Sequence, residues 1–252
     1  MSQVPMDIWQ TGGVTEHLGG AAATRRLLAF CRPHPGQRVL ELGCGTGYTA
    51  CILAQTDGAR VVALDGLAAN LARTRRRARK AGVAGQVAGV RADAHGLPFA
   101  DACFDLVVAE SVLAFCDAPR VAAEIGRVLK PGGLLGANEM TLLQPPPAEL
   151  QHLLTGVLGM QVFQETEWRS LLDSAGLTPV HSIVRKLSLW EQAASHLQVD
   201  GVAGYLAALV KGLANLRLSR VFINRQMLRA ACQFMPLVGY DLFVGQKSPS
   251  SR

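Results

Sequence analysis

Polar and apolar positions follow two rhythms that take turns along this chain. Seven short runs are either wholly apolar or alternate with a period near two: QRVLEL, ARVVALD, VAGVRAD, CFDLVVAES, GLLGANEMTLL, TPVHSIVRKLSLW and VGYDLFVGQK. Each reads as a β-strand. Between them, apolar residues recur at helical spacing. The second half of TEHLGGAAATRRLLAFC puts Leu27, Leu28 and Cys31 on one side, and TGYTACILAQ follows the first strand. LAANLARTRRRARKAG is closed by Gly82, and APRVAAEIGRVLK meets a firm stop at PGG. Strand and helix in strict succession predict a doubly wound α/β fold, a mostly parallel sheet with helices on both faces. In such sheets ligands bind at the carboxyl ends of the strands, near the point where strand order reverses.

Past Leu143 the rhythm loosens. QPPPAEL breaks the chain, and TEWRSLLDSAG resumes a helix with Thr166 as its candidate cap. From Glu191 to about Met235 the pattern is helical until VGYDLFVGQK. The expected organisation is an N-terminal lid and helix over 1–36, a core over 37–190, a helical substrate-cap insert over 191–236, and the last strand and tail over 237–252.

Composition narrows the class. The chain has 252 residues, 49% of them hydrophobic and 17% charged, enough for a large buried core. The start, MSQVPMDIWQTGG, lacks the charged and apolar regions of a secretory signal, and no apolar run reaches the length of a membrane span, so a soluble, cytoplasmic protein is expected. Six cysteines form no C-x-x-C pair and read as reduced, buried thiols; no metal site is expected. The net charge of +6 is largely local: Arg73, Arg75, Arg76, Arg77, Arg79 and Lys80 fall within one helical segment. They read as a solvated helix face. Without interleaved aromatic residues the segment lacks the stacking half of a single-strand nucleic-acid site.

Candidate chemistry is concentrated in VLELGCGTGYTA, where an apolar strand ends in Glu41 and glycines follow at 43, 45 and 47. The dinucleotide pattern G-x-G-x-x-G/A fails from Gly43, which puts Tyr48 at the third position, and is allowed from Gly45, which puts Ala50 there. A phosphate-binding loop is excluded because no lysine follows Gly47. Glu41 would repel a diphosphate and attract a cationic amino acid. Asp65 ends the second strand, where an acid accepts both ribose hydroxyls, and Asp93 ends the third, where it can take an adenine amine. Three acids at successive strand ends suit a nucleoside with a positively charged tail, as in S-adenosylmethionine (SAM).

LELGCGTG, VVALD, ADAHGLPFADACFDLVVAESVL and EIGRVLKPGGLL, in this order between Val39 and Thr141, resemble the class I SAM-dependent methyltransferases, most of all the small-molecule group that methylates quinones, tocopherols and sterols. The resemblance implies a Rossmann-like fold with a seven-stranded sheet and a helical insert before the last strand. It implies that Glu41, Gly43, Cys44, Gly45 and Gly47 surround the methionine part, and that Asp65 holds the ribose with Gly66 and Leu67 beside the adenine. Asp93 and Ala94 would contact the base, and Glu110 and Ser111 would line the floor under the sulfonium. AESV after the fourth strand replaces the N-P-P-Y loop of base-amine methylators, and neither Cys103 nor Cys116 follows a proline as in cytosine methylators; both differences argue against nucleic acid.

The acceptor site is expected outside these motifs. Glycine pairs at 12–13 and 19–20 offer hinges for a lid that brings Trp9 and His17 to the reaction centre, with His17 as the candidate catalytic base. Tyr205, Leu206, Leu209, Val210 and Phe222 of the insert offer an apolar roof. With the sparse charge there and a mean hydropathy of +0.21, this suggests a small hydrophobic or aromatic acceptor. The same apolar residues suit a homodimer interface or a membrane surface. Three other readings stay open at this stage: a SAM-binding module without turnover, an RNA methyltransferase using the arginine helix, and an NAD-dependent oxidoreductase through the Gly45 register.

Overall fold

Successive side chains of a strand point to opposite faces of the sheet, and in the central strands here both directions are buried. The computed structural model describes residues 17–188, 195, 197, 199 and 233–249. Its first helix, α1 (Gly20–Cys31), leads into β1 (Arg38–Leu42), α2 (Tyr48–Thr56), β2 (Arg60–Asp65), α3 (Ala68–Lys80) and β3 (Val87–Arg91). Then come β4 (Phe104–Glu110), a 3₁₀ turn (Leu113–Phe115), α4 (Ala118–Val128) and β5 (Leu129–Leu142). A short α5 (Ala148–Gln151) running into a π-helical turn (His152–Val157), the two-residue β6 (Phe163–Gln164), α6 (Glu165–Ser174), β7 (Leu177–Lys186), a 3₁₀ turn (Met235–Leu237) and β8 (Val238–Lys247) complete the described elements.

The main sheet has the order β3-β2-β1-β4-β5-β8-β7, and β6 pairs with β5 beside it. β1 pairs in parallel with both β2 and β4, and β8 lies antiparallel between β5 and β7. The expected mostly parallel, seven-stranded doubly wound sheet is therefore present in its main path. The order reverses beside β1, between β2 and β4, which places the ligand crevice over the Glu41 turn.

Two cores follow from the alternation. Val39, Val61, Leu106 and Val108 pack with Leu27, Leu28 and Cys31 of α1, Leu53 of α2 and Leu71 of α3. Leu40, Leu42, Val107 and Ala109 pack on the other face with Val121 and Ile125 of α4 and Trp168, Leu171 and Leu172 of α6. Trp168 meets Phe163 edge-on and its indole N–H donates to Met140 O at 3.3 Å, which fixes α6 against the sheet.

Some local expectations change. α6 is capped by Gln164, not Thr166; Gln164 N donates to Glu167 Oε2 at 2.7 Å. α4 ends at Val128, ahead of Pro131, because β5 already begins at Leu129 and pairs with Phe104. The register then jumps to Leu106 opposite Leu134, so the PGG segment is accommodated within β5 as an irregularity. Gly19 is not a free hinge: it has φ 74°, and a Cβ there would meet the Tyr240 ring. Gly12, Gly13, Trp9, Cys232 and the apolar residues Tyr205, Leu206, Leu209, Val210 and Phe222 lie outside the described residues.

Candidate active site

The turn after β1 is made by glycines that do different jobs. Gly43, Gly45 and Gly47 all have positive φ (66°, 51° and 75°), which L side chains rarely adopt. A Cβ at Gly43 would meet Val112 Cγ2 at 2.5 Å, and one at Gly47 would meet Thr74 at 2.6 Å. Gly45 differs. Its nearest neighbour would be Gly43 O at 3.9 Å, so this glycine faces open space. Cys44 turns its side chain inward, with Sγ 3.4 Å from Thr74 Oγ1 and 2% exposure, so only its backbone borders the turn.

Asp65 is tied to that turn. Its Oδ2 accepts from Gly45 N at 3.0 Å and Asn70 Nδ2 at 3.1 Å, and its Oδ1 accepts from Leu67 N at 2.9 Å. Three donors leave about one lone pair of the carboxylate for a further hydroxyl. Gly66 is exposed with no neighbour to a would-be Cβ, and Leu67 is half-buried beside it.

Glu41 is buried and its Oε2 has no partner among the described residues. Burial first, then the carboxylate of Glu110, raises its carboxyl well above the usual carboxylate range. A cation brought beside it would restore the charged form and pair the orphaned oxygen. The cationic tail of SAM has that chemistry. A buried acid with one unpartnered oxygen, an open glycine and an acid already fastened to the second strand end fit such a group together.

Glu110 has different company from that expected. Oε1 accepts from Thr49 Oγ1 at 2.8 Å and lies 3.6 Å from His17 Nε2. Oε2 accepts from Thr24 Oγ1 at 2.8 Å and from Asn138 Nδ2 at 3.4 Å. Asn138 also donates to Leu18 O at 2.8 Å. One buried carboxylate thus gathers α1, α2, β5 and the residues ahead of α1. Ser111, with φ 57°, follows it in a left-handed conformation costing about 1–2 kcal/mol; its N–H donates to Asn138 O and its buried Oγ is unpartnered.

Sequence reasoning missed Thr24, Thr49, Asn138 and Glu139. Glu139 accepts from Val112 N, Leu113 N and Ala114 N at 2.9, 2.8 and 3.3 Å, pinning the turn after β4. Burial overrides those bonds and pushes its carboxyl up to about 7. The available signal was the polar pair Asn138–Glu139 inside an apolar strand: alternation sends one to each face of the sheet.

Asp93 stands apart two residues past the end of β3, largely exposed. Its Oδ1 accepts from His95 N at 2.9 Å and lies 2.6 Å from His95 Nδ1. Ala94, beside it, is half-buried against the α4-side core. Among the described cysteines, Cys31, Cys44 and Cys51 are buried and all five are free; burial raises the Cys31 thiol to about 12, which makes it inert at neutral pH. Among the described residues no cluster has metal-ligating composition, and no helix is long and apolar enough to cross a membrane.

Comparison with known proteins agrees with this geometry. Residues 40–137 match the family described as "Methyltransferase domain". The chain is 35% identical over 161 residues to "Uncharacterized methyltransferase YodH" of Bacillus subtilis (strain 168), covering 64% of this chain and 68% of that protein. It is 33% identical over 179 residues to the "27-O-demethylrifamycin SV methyltransferase" of Amycolatopsis mediterranei (strain S699), covering 68% of this chain and 65% of the relative. The crystal structure of a SAM-dependent methyltransferase from Thiobacillus denitrificans in complex with S-adenosyl-L-homocysteine superposes with a TM-score of 0.71, at 19% identity, over 97% of this chain and 99% of that one. The chain belongs to the class I SAM-dependent methyltransferases, and its cofactor is SAM.

Proposed function

We propose that this methyltransferase transfers the methyl group of SAM to a small hydrophobic or aromatic metabolite. The observation that carries the reading is the buried set at the ends of β1, β4 and β5, in which Glu41 keeps an unpaired oxygen while both oxygens of Glu110 are hydrogen-bonded. SAM supplies an electrophilic methyl on a sulfonium, so the chain's own task is alignment, exclusion of water and removal of a proton. Glu41 takes the cationic methionine end, Gly43, Gly45 and Gly47 let the backbone approach it, and Asp65 holds the ribose. Asp93 and Ala94 face the base, with Gly66 and Leu67 at its edge, and Ser111 borders the floor.

Glu110 is assigned to His17 and not to the cofactor. Both its oxygens are already hydrogen-bonded by Thr24, Thr49 and Asn138, and His17 Nε2 lies 3.6 Å from Oε1 as its ion-pairing neighbour among the described residues. His17 then takes the proton from the acceptor as general base, with Glu110 orienting its ring. Trp9, Tyr205, Leu209 and Phe222 remain the proposed apolar contacts of the acceptor. The rifamycin-type acceptor named for the Amycolatopsis relative supports an apolar natural-product class. The AESV segment at the end of β4 supports a small molecule over a nucleic-acid base.

The test is reaction of the purified chain with methyl-labelled SAM and extract of its source cells, with label counted by fraction. Label in the organic-extractable fraction is expected. Label in nucleic acid or protein would overturn the acceptor class, and none in any fraction with SAM bound would favour a binding module.

A further inference from the structure

The loop after β3 is fastened to the start of α4 by His95, a residue with no part in the site as derived above. His95 Nε2 accepts from Asp117 N at 3.0 Å, at the cap of α4, so the ring's proton sits on Nδ1. Nδ1 therefore donates to Asp93 Oδ1 at 2.6 Å, alongside His95 N at 2.9 Å. Arg120 Nε, also from α4, donates to His95 O at 2.9 Å. Ring and backbone are thus clipped to α4 at separate points.

The consequence falls on Asp93. An exposed aspartate ordinarily turns freely about its terminal bond, exchanging its two oxygens. Here two donors hold Oδ1, and Oδ2 takes no bond among the described residues. An ionised carboxylate only accepts hydrogen bonds. A fixed Oδ2 therefore favours an exocyclic amine, as in adenine, and repels the carbonyl oxygen of a 6-oxopurine.

We infer that His95 is a positioning residue that sets the preference for an adenine over a 6-oxopurine nucleoside, by holding Asp93 in one orientation against the α4 cap. This rests on the reading of Asp93 as the residue facing the cofactor base. His95 touches Asp93 and α4; it does not touch the reacting atoms.

Calorimetric titration of the full chain with S-adenosyl-L-homocysteine and S-inosyl-L-homocysteine, its 6-oxo counterpart, tests this. The unaltered chain should prefer the adenosyl compound by at least about tenfold, the worth of a hydrogen bond to a charged carboxylate. His95→Ala should erase most of that ratio by weakening the adenosyl compound, whereas His95→Gln, whose amide oxygen can accept the Asp117 N–H, should restore part of it. No binding of either compound by the unaltered chain would defeat the cofactor reading itself. Binding without discrimination would remove Asp93 from the base, and a ratio unchanged in His95→Ala would overturn the role of His95. Nitrogen-15 spectra of the unaltered chain give an independent check that needs no variant: an Nε2-protonated His95 would also overturn it.

Discussion

His17 Nε2 lies 3.6 Å from Glu110 Oε1, and the two residues come from opposite ends of the cofactor-binding half of the chain. The pairing makes Glu110 the point at which the segment ahead of α1 is joined to the ends of β4 and β5. Asn138 seconds it by holding Leu18 O. Removing the imidazole should therefore strike turnover and spare the cofactor. His17→Ala is expected to lower kcat by about 10²-fold or more, the usual worth of a general base, with SAM affinity nearly unchanged. Turnover at the unaltered level would remove His17 from the mechanism.

Glu110→Gln separates the two roles open to that carboxylate. If it orients His17, kcat falls and calorimetric SAM affinity holds. A large loss of SAM affinity in a variant with normal circular dichroism would return Glu110 to the cofactor.

The glycines of the turn should fail in different ways. Gly47→Ala drives a methyl into Thr74 from a left-handed backbone, so a stability loss of about 2–4 kcal/mol is expected in denaturant unfolding. Gly45→Ala meets only open space and carries the backbone strain alone, about 1–2 kcal/mol, yet it projects into the crevice and should weaken SAM markedly. Equal effects of the two on SAM binding in folded protein would contradict the open position of Gly45.

Asp65→Asn should harm both stability and cofactor binding, since the amide cannot accept from Gly45 N, Leu67 N and Asn70 together. One stranded buried donor costs about 1–3 kcal/mol. Parallel thermal and SAM titrations of the variant would check this; a drop in SAM affinity at unaltered Tm would show that the turn does not depend on the acid.

Stability should fall as pH rises toward neutrality. Burial holds Glu139 protonated up to about 7 and Asp241 up to about 6 in the folded chain, against ordinary values of 4.5 and 3.8. Between those values the folded state binds more protons than the unfolded one, so folding is favoured on the acid side and loses that advantage as pH passes through the folded values. Glu124, held low by its bonds to Arg127, works in the opposite sense at more acid pH. A Tm at pH 8 below that at pH 5.5 is expected, corresponding to about 1–3 kcal/mol for the two acids. Glu139→Gln should flatten the slope; an unchanged slope would mean that Glu139 titrates normally.

Much of this protein was legible in its residues. Seven strands, the helices between them, the glycine turn and the acids at successive strand ends all rest on period and spacing. Those are local properties: an apolar residue every second position makes a strand, and a left-handed turn between strand and helix calls for glycine. The cofactor followed because Glu41, Asp65 and Asp93 lie at or just past the ends of successive strands, and parallel strands end at one edge.

What spacing could not give is which side chains already have partners. Glu110 read as free to grip a ligand until Thr24 and Thr49, from two different helices, and Asn138 were found bonded to both its oxygens. Gly19 read as a hinge until Tyr240, from the last strand, packed against it. Asp93 read as a single acid until His95 tied it to the cap of α4. A hydrogen bond or a packing contact between residues far apart in sequence depends on how the sheet order brings their elements together, and that order is a property of the folded chain alone. The sequence by itself determined the elements and the kind of ligand they hold. Only the tertiary structure decided which buried groups remain unpaired to hold it, because lone pairs and space are allotted among neighbours that the chain order does not reveal.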